Sequence, residues 1–387
     1  MIQDRLFSVA FIADIHFGAT KSSALFEQLK QYFINTIKHS RLDMVVFGGD
    51  LFHSIISMNY ATSHTVMMFM EEVISTCIES GIPYIRIIQG TMSHDNNQLH
   101  NFTMYENRSD IDVRIIMGVT EESIPNGPEI LYIPEEYMTN LHEFYAEYLV
   151  KKKHYDFIFG HGMFKEVAFV AKTQESEITM SKAPIFDSRE ILNICKGPIF
   201  FGHIHTNTVI REHIYYPGSF TRFQHGEETP KGFYLCCYDL ETNAYVTEFI
   251  ENIDAPTYIT IEVPKFSAYI EKPQDLIDMV KTIPADYIKL KIIIDVASDY
   301  QYAIQFIRDY YNDKPKYKLD IKDQLEHHKE QETEKIMNTI LDKYSFIFDK
   351  NLPLEDKTSK FISITYNKEI SSSDIKKYLY QPLNEII

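Results

Sequence analysis

Asp14-Ile15-His16, Gly48-Gly49-Asp50, Gly160-His161-Gly162 and Gly202-His203-Ile204-His205 follow one another along the chain, each directly behind an apolar run. Brought together, their aspartates and histidines can hold two divalent cations with one carboxylate bridging them. Two such ions, roughly 3.5–4 Å apart, clamp the attacking and leaving oxygens of an in-line displacement at phosphorus. Asp14 and His16 stand at alternate positions of a strand end, so both face one way and can grip one cation. Asp50 comes after two glycines that let the backbone pass closely beneath the ions, and its carboxylate is the candidate bridge. His203 and His205 repeat the i, i+2 spacing and offer one imidazole to each ion, while His161 adds a further nitrogen. Histidine and aspartate ligation without thiolate suits manganese, iron or zinc better than magnesium alone. An isolated histidine is more often a hydrogen-bonded packing residue than a ligand, and a lone Gly-His is often just a turn. Four such motifs in the same strand context reinforce one another.

The elements that must position these residues are readable from the pattern. Apolar strands are expected at 7–13, 44–47, 84–88, 113–116, 129–133, 157–159 and 198–201, and amphipathic helices near 22–38, 61–79 and 135–151. Strand ends in an open α/β sheet deliver their loops to one rim, where ligands bind. The strand at 84–88 should reach the same rim, and there the chain reads Gly90-Thr91-Met92-Ser93-His94-Asp95. His94 is expected to touch the scissile phosphate and protonate the leaving oxygen rather than hold a metal. Its plain alternative is a loop histidine held by Asp95. His53, three residues after Asp50, is a second candidate to face substrate, with simple packing as its alternative. From 208 the pattern changes to hairpins at 208–211, 213–216, 232–239 and 244–250. A βαβα first part and a β-rich second part suit two packed sheets flanked by helices.

At 387 residues the chain is long enough for two or three domains. Its 44% hydrophobic and 13% aromatic content provides a packed core and excludes global disorder. No secretory leader and no membrane-spanning window are apparent, so a soluble, cytoplasmic protein with no membrane partner is expected. Cys77, Cys195, Cys236 and Cys237 lack zinc-ribbon spacing and read as reduced thiols. The formal charge of −17 argues against a broad basic surface for nucleic acid. Any DNA contact must be local, helped by cations or shared with a partner. The basic run Lys151-Lys152-Lys153-His154 reads better as a solvated helix end than as a DNA contact.

The whole series resembles the calcineurin-like metallophosphoesterase superfamily. It is more particularly similar to the SbcD-type DNA repair nucleases of bacteria, archaea, eukaryotes and phages. Gly49-Asp50-Leu51-Phe52-His53 is similar to that branch. So are Tyr216-Pro217-Gly218-Ser219 followed by Arg222, and Gly226-Glu227-Glu228 before Lys231-Gly232-Phe233. The resemblance implies a four-layer αββα metallophosphoesterase sandwich over 1–254. A small α+β DNA-capping domain would follow at 255–312, and a helical region at 313–387 would dock on a partner ATPase. By its motifs, one cation would take Asp14, His16, Asp50 and His205, and the other Asp50, His161 and His203 plus an asparagine of the family's Gly-Asn-His-Asp. This chain departs there, carrying Ser93 before His94, so Ser93 becomes the expected second-site ligand, with Thr91 or Asn96 as substitutes in a rearranged loop. The implied activity is manganese-dependent 3′→5′ exonuclease and single-strand endonuclease action (iron, zinc or magnesium being alternatives). The implied assembly is a homodimer with an SbcC-type, SMC-like ATPase in DNA end processing and recombination, in the host cytoplasm if the source is viral. A phosphatase or cyclic-nucleotide phosphodiesterase with the same metal core is one rival reading; a weakly active scaffold for the ATPase is the other.

For the later part, 313–318 reads as a charged linker and 319–344 as a polar helix with a sparse apolar face.

Overall fold

The computed structural model describes residues 6–55, 61–137, 141–150, 154–168, 184–295, 300–323 and 342–379. The chain divides into two units, one of residues 1–260 with 284–289, the other of 261–283 with 290–387.

The first unit is α/β, and its described residues form two six-stranded mixed sheets. From edge to edge the first sheet runs Tyr245–Glu251, Gly232–Asp239, Leu6–Ile12, Met44–Phe47, Tyr84–Ile88 and Asp112–Ile116. Its last four strands are parallel, and Leu6–Ile12 meets Gly232–Asp239 antiparallel. The second sheet runs Thr208–Ile210, Ile214–Tyr216, Ile199–Gly202, Phe157–His161, Glu129–Ile133 and Thr120–Ser123. Its four central strands are parallel, and both edges return antiparallel. Strands buried on both faces read as continuous apolar runs rather than alternating ones, which is why Met44–Phe47 and Ile199–Gly202 are so legible.

The sheets face one another across an aromatic layer. Phe11 lies 5.8 Å from Phe159 and 5.3 Å from Phe200, ring centre to ring centre. Val9, Met44, Val46, Phe157, Tyr215 and Tyr234 join the same buried cluster. On its outer face the first sheet packs through Ile12, Val45 and Ile85 against Leu25, Phe69 and Val73 of the helices Ser22–Leu29 and Ala61–Ser80. The second sheet does likewise, with Ile158 and Phe201 in a cluster with Tyr145 and Ile191. Each fully buried large apolar side chain contributes roughly 1.5–3 kcal/mol to holding these layers together. The helix expected over 22–38 is interrupted by a π turn at Lys30–Ile34, a local widening common near functional sites.

Two elements differ from expectation. The helix read as starting at residue 135 begins, among the described residues, at Leu141. The stretch read as a linker leading into a polar helix holds the strand Tyr317–Asp323 instead. There Tyr317, Leu319 and Ile321 alternate with Lys318, Asp320 and Lys322, and that period-two pattern pairs as the edge of the sheet Tyr258–Val263, Tyr287–Ile294, Tyr317–Asp323. Most of the expected polar helix lies outside the described residues.

In the second unit, helix Pro273–Lys281 buries Leu276, Ile277 and Val280 and helix Gln301–Tyr311 buries Ala303, Ile304 and Ile307, one apolar stripe each. Helices Leu354–Tyr366 and Ser372–Leu379 follow. Among the described residues no helix is long and apolar enough to cross a membrane.

Candidate metal centre

Every expected ligand except Ser93 stands at the carboxyl end of a parallel strand, and both sheets contribute. The first sheet sends Asp14 and His16 from Leu6–Ile12 and Asp50 from Met44–Phe47. The second sends His161 from Phe157–His161, and His203 and His205 from Ile199–Gly202. Asp14, His16, Asp50, His161 and His203 are all buried, at 0–1% exposure.

The backbone bends sharply to present them. Asp14, His16, Asp50 and His203 all adopt positive φ, at 51°, 52°, 53° and 98°. Residues other than glycine rarely do so, and each such residue costs about 1–3 kcal/mol. Four in one cluster mark a place where geometry has been kept against conformational preference. Gly49 has φ +93°, and a Cβ there would come within 2.3 Å of His161 Nδ1. Only glycine fits beneath that imidazole.

The donor atoms form overlapping groups, and Asp50 belongs to two of them, one with His16 and His94 and one with Asp14 and His161. His16 Nε2 and His205 Nε2 approach to 2.9 Å, and each lies 4.0 Å from Asp14 Oδ1. His205 Nδ1 donates to Glu227 Oε1 at 3.0 Å. That assigns its Nε2 as a lone pair directed at the His16 nitrogen, the arrangement in which a cation belongs. On the other side, His161 Nδ1 donates to the Gly48 carbonyl at 2.8 Å, turning its own Nε2 inward. Asp50 Oδ2 stands between the groups, 3.8 Å from His16 Nε2 and 3.4 Å from His161 Nε2. Its carboxylate is further fixed by the Thr91 N–H, which donates to Oδ1 at 2.6 Å.

The titration behaviour reflects the same crowding. Burial alone would raise the Asp50 carboxyl, yet His161 and His94 outweigh it and hold the group well below the ordinary range. Burial would lower His161, but Asp50, Asp14 and Glu135 hold it well above the usual imidazole value. His16 is driven well below by burial and by His205. The donor set fits two divalent cations, being nitrogen and carboxylate oxygen with no sulfur.

His94 lies in the same cluster. Its Nδ1 is 3.3 Å from Asp50 Oδ2 and 3.2 Å from His16 Nδ1. Its side chain is 22% exposed, against 11% for His205, so of these imidazoles it is the more open to an incoming molecule. His53 is exposed, with its ring 5.6 Å from that of His16 and 5.8 Å from that of His94.

Ser93 is not brought into the cluster. It is exposed, and among the described residues no hydrogen bond ties it to any candidate ligand. The physical reason is Asp95. This fully buried residue accepts the N–H groups of Gly90, Asp50 and Phe52 at 2.8, 2.9 and 3.2 Å, and so anchors the turn inward two residues later. Burial and the neighbouring Asp50 push its carboxyl up to about 7. Thr91 is also buried in this loop, with Oγ1 donating to Asp50 Oδ2 at 3.2 Å and lying 3.5 Å from His161 Nε2.

One residue escapes the sequence reading. Glu135, fully buried, brings Oε2 to 2.9 Å from His203 Nδ1 and 3.8 Å from His161 Nε2. Glu135, His161 and His203 together form a group able to hold an ion. Its position after Pro134 reads as a helix start, where an acidic residue needs no other reason. The available signal is that it also follows the strand Glu129–Ile133, as the other ligands follow theirs.

The remaining motifs support His205. Glu227 accepts from His205 Nδ1, and Lys231, also buried, donates to the His205 carbonyl at 2.7 Å and to Ser219 Oγ at 2.9 Å while pairing with Glu227 at 3.2 Å. Arg222 donates to the carbonyls of Glu227, Ala255 and Thr229; its recorded bonds go to backbone rather than to the cluster. Glu227→Gln should weaken by roughly 10–100-fold the binding of a divalent cation to the candidate group Asp14, His16 and His205. Titration calorimetry checks this, and an unchanged first-site affinity would mean that Glu227 serves only to pair Lys231.

No protein-family model and no curated protein matches the chain. Among solved structures, it is similar at 12% identity and a TM-score of 0.35 to a hypothetical protein from Thermus thermophilus, over 63% of this chain and 99% of that one. It is also similar at 10% identity and a TM-score of 0.28 to a glutamine-dependent NAD+ synthetase from Acinetobacter baumannii in complex with ADP, over 93% and 71%. At these TM-scores neither likeness bears on the fold or chemistry of this chain.

Proposed function

We propose that this protein is a two-metal phosphodiesterase acting on DNA, a nuclease of the SbcD type within the metallophosphoesterase superfamily. The observation that carries the reading is Asp50 Oδ2, placed within 4 Å of histidine nitrogens from two separate donor groups. Two layered sheets with the cluster on their shared rim support the sandwich architecture. Manganese is the favoured cation, with iron, zinc and magnesium as alternatives.

When bound, the ions supply a nucleophilic water at neutral pH and neutralise charge building on the phosphate. The residues do the rest. Asp50 fixes the spacing of the two groups. Asp14, His16 and His205 define one side, and His161 and His203 the other. A P–O bond forms to the oxygen of water, which gives up one proton to the solvent, while the P–O bond to the sugar breaks and the departing oxygen takes a proton. We assign that proton to His94 Nε2, because Nδ1 of the same ring faces Asp50 and His16. His53 lies beside it and lines the approach. The net charge of −17 gives isolated protein little long-range pull on DNA, so DNA affinity is shared with an SMC-like ATPase, with the second unit as the capping and docking region and a homodimer as the assembly.

The test is manganese-dependent digestion of a 3′-labelled duplex, beside bis-p-nitrophenyl phosphate and a His94→Ala variant. General-acid loss should lower the rate by roughly 10²–10⁴-fold with manganese content unchanged. Cleavage of the small ester alone would favour a phosphatase or cyclic-nucleotide phosphodiesterase. Failure on both substrates, even with the ATPase present, would favour the scaffold reading.

A further inference from the structure

Resting on the reading of this cluster as a two-cation centre, we infer that Glu135 is a direct ligand of the second cation, in the role that the motif resemblance leaves to Ser93. Three observations carry it. Glu135 Oε2 lies 2.9 Å from His203 Nδ1 and 3.8 Å from His161 Nε2, the two histidines of that side. Thr91 Oγ1, which donates to Asp50, stands 3.4 Å from the same oxygen. The other oxygen, Glu135 Oε1, is buried and has no hydrogen-bond partner among the described residues.

That last point marks a carboxylate whose pairing within the protein is incomplete, and an unsatisfied ionised oxygen is costly to bury. Glu136 Oε2 is also buried without a partner among the described residues, but Glu136 stands in none of the groups able to hold an ion, whereas Glu135 does. Here Oε1 has no protein donor among the described residues, while Oε2 lies beside the imidazoles of His203 and His161. A divalent cation supplies what is lacking: it accepts electron pairs from Glu135, His161, His203 and Asp50 together. The loop carrying Ser93 has turned its serine to the surface, and the neighbouring strand end of the second sheet provides the replacement. The exchange alters the chemistry as well as the geometry. A neutral amide oxygen gives way to an anion, so the centre holds three carboxylates, Asp14, Asp50 and Glu135, facing two dications. The second site should therefore bind its ion firmly despite the missing asparagine.

The experiment is manganese binding to the metal-free full chain, by titration calorimetry and by electron paramagnetic resonance of the loaded protein. Wild type should take two equivalents and show the spin-coupled signal of a bridged pair. Glu135→Ala should take one equivalent and show an uncoupled signal, whereas Ser93→Ala should match wild type. Glu135→Gln keeps the volume and serves if the alanine variant does not fold; its second-site affinity should fall by at least roughly tenfold, the smallest effect seen for merely supporting groups. Two coupled equivalents at unchanged affinity in a folded Glu135 variant would overturn the assignment while leaving the two-cation reading intact. Fewer than two equivalents in wild type would overturn that reading itself.

Discussion

Asp50→Asn is expected to leave the fold intact, release both cations and reduce phosphodiester hydrolysis by a factor of about 10³ or more. The substitution preserves size and keeps an acceptor for the Thr91 N–H, which donates to Oδ1 at 2.6 Å. What it removes is the charge on the one oxygen that lies between His16 Nε2 at 3.8 Å and His161 Nε2 at 3.4 Å. An amide cannot bridge two dications. It also removes the anion that chiefly opposes the lowering effect of burial on the His161 pKa, leaving Asp14 and Glu135 to do so. Each tenfold in rate is about 1.4 kcal/mol, and losing both ions removes most of the charge stabilisation at phosphorus. Metal content after gel filtration, with hydrolysis on the same samples, checks it. A folded variant that retains two ions and near-normal rates would show that the groups are separate sites with no shared ligand.

The second large effect concerns stability. Glu122→Ala should destabilise the first unit by about 3–5 kcal/mol, the range for removing one partner of a buried pair. Arg86 is fully buried and donates from Nε to Glu122 Oε2 at 2.8 Å and from Nη2 to Oε1 at 2.6 Å. Tyr132 Oη donates to the same carboxylate at 2.8 Å. Arg86 belongs to the first sheet, and Glu122 and Tyr132 to the second, so the pair joins the two layers. Alanine at 122 leaves the guanidinium with Asp112 and backbone carbonyls only. The double variant Arg86→Met with Glu122→Leu, which removes both charges, should recover most of the loss. Burial alone would raise the Glu122 carboxyl, but Arg86 outweighs it and holds the group below its ordinary value. A depressed carboxyl contributes stability above its unfolded pKa, near 4.5, and loses it as pH falls through the folded value. Urea denaturation from about pH 7 to about pH 3 should therefore show wild type converging on Glu122→Ala at the acid end. Parallel curves would place the pair's contribution outside ionisation.

The candidate metal ligands are legible because apolar strands and the polar residues ending them lie next to each other in sequence. Asp14, Asp50, His161 and His203 each announce themselves in this way. Glu135 has the same position, but Pro134 before it and an amphipathic stretch after it make a helix start the nearer reading. Ser93 fails for the converse reason: its place before His94 draws attention, while the buried Asp95 that orients the turn acts through backbone N–H groups invisible to sequence. The strand Thr120–Ser123, with two glutamates among its four residues, has no apolar signature, because one of those glutamates is buried to meet Arg86. Tyr317–Asp323 is hidden by its charge. In each case a long-range partner decides what local pattern cannot.

The candidate donors are divided between two sheets, Asp14, His16 and Asp50 on one and Glu135, His161, His203 and His205 on the other. No fragment carrying a single sheet can assemble either complete ligand group, since both draw on Asp50 and on histidines of the second sheet. During folding the centre must consequently come into being only after the two layers have met, across sequence separations as wide as that of Asp14 and His203. Metal capture therefore belongs to the end of the folding process and cannot seed it. Added manganese should slow unfolding of the finished protein while leaving the early collapse of the chain untouched.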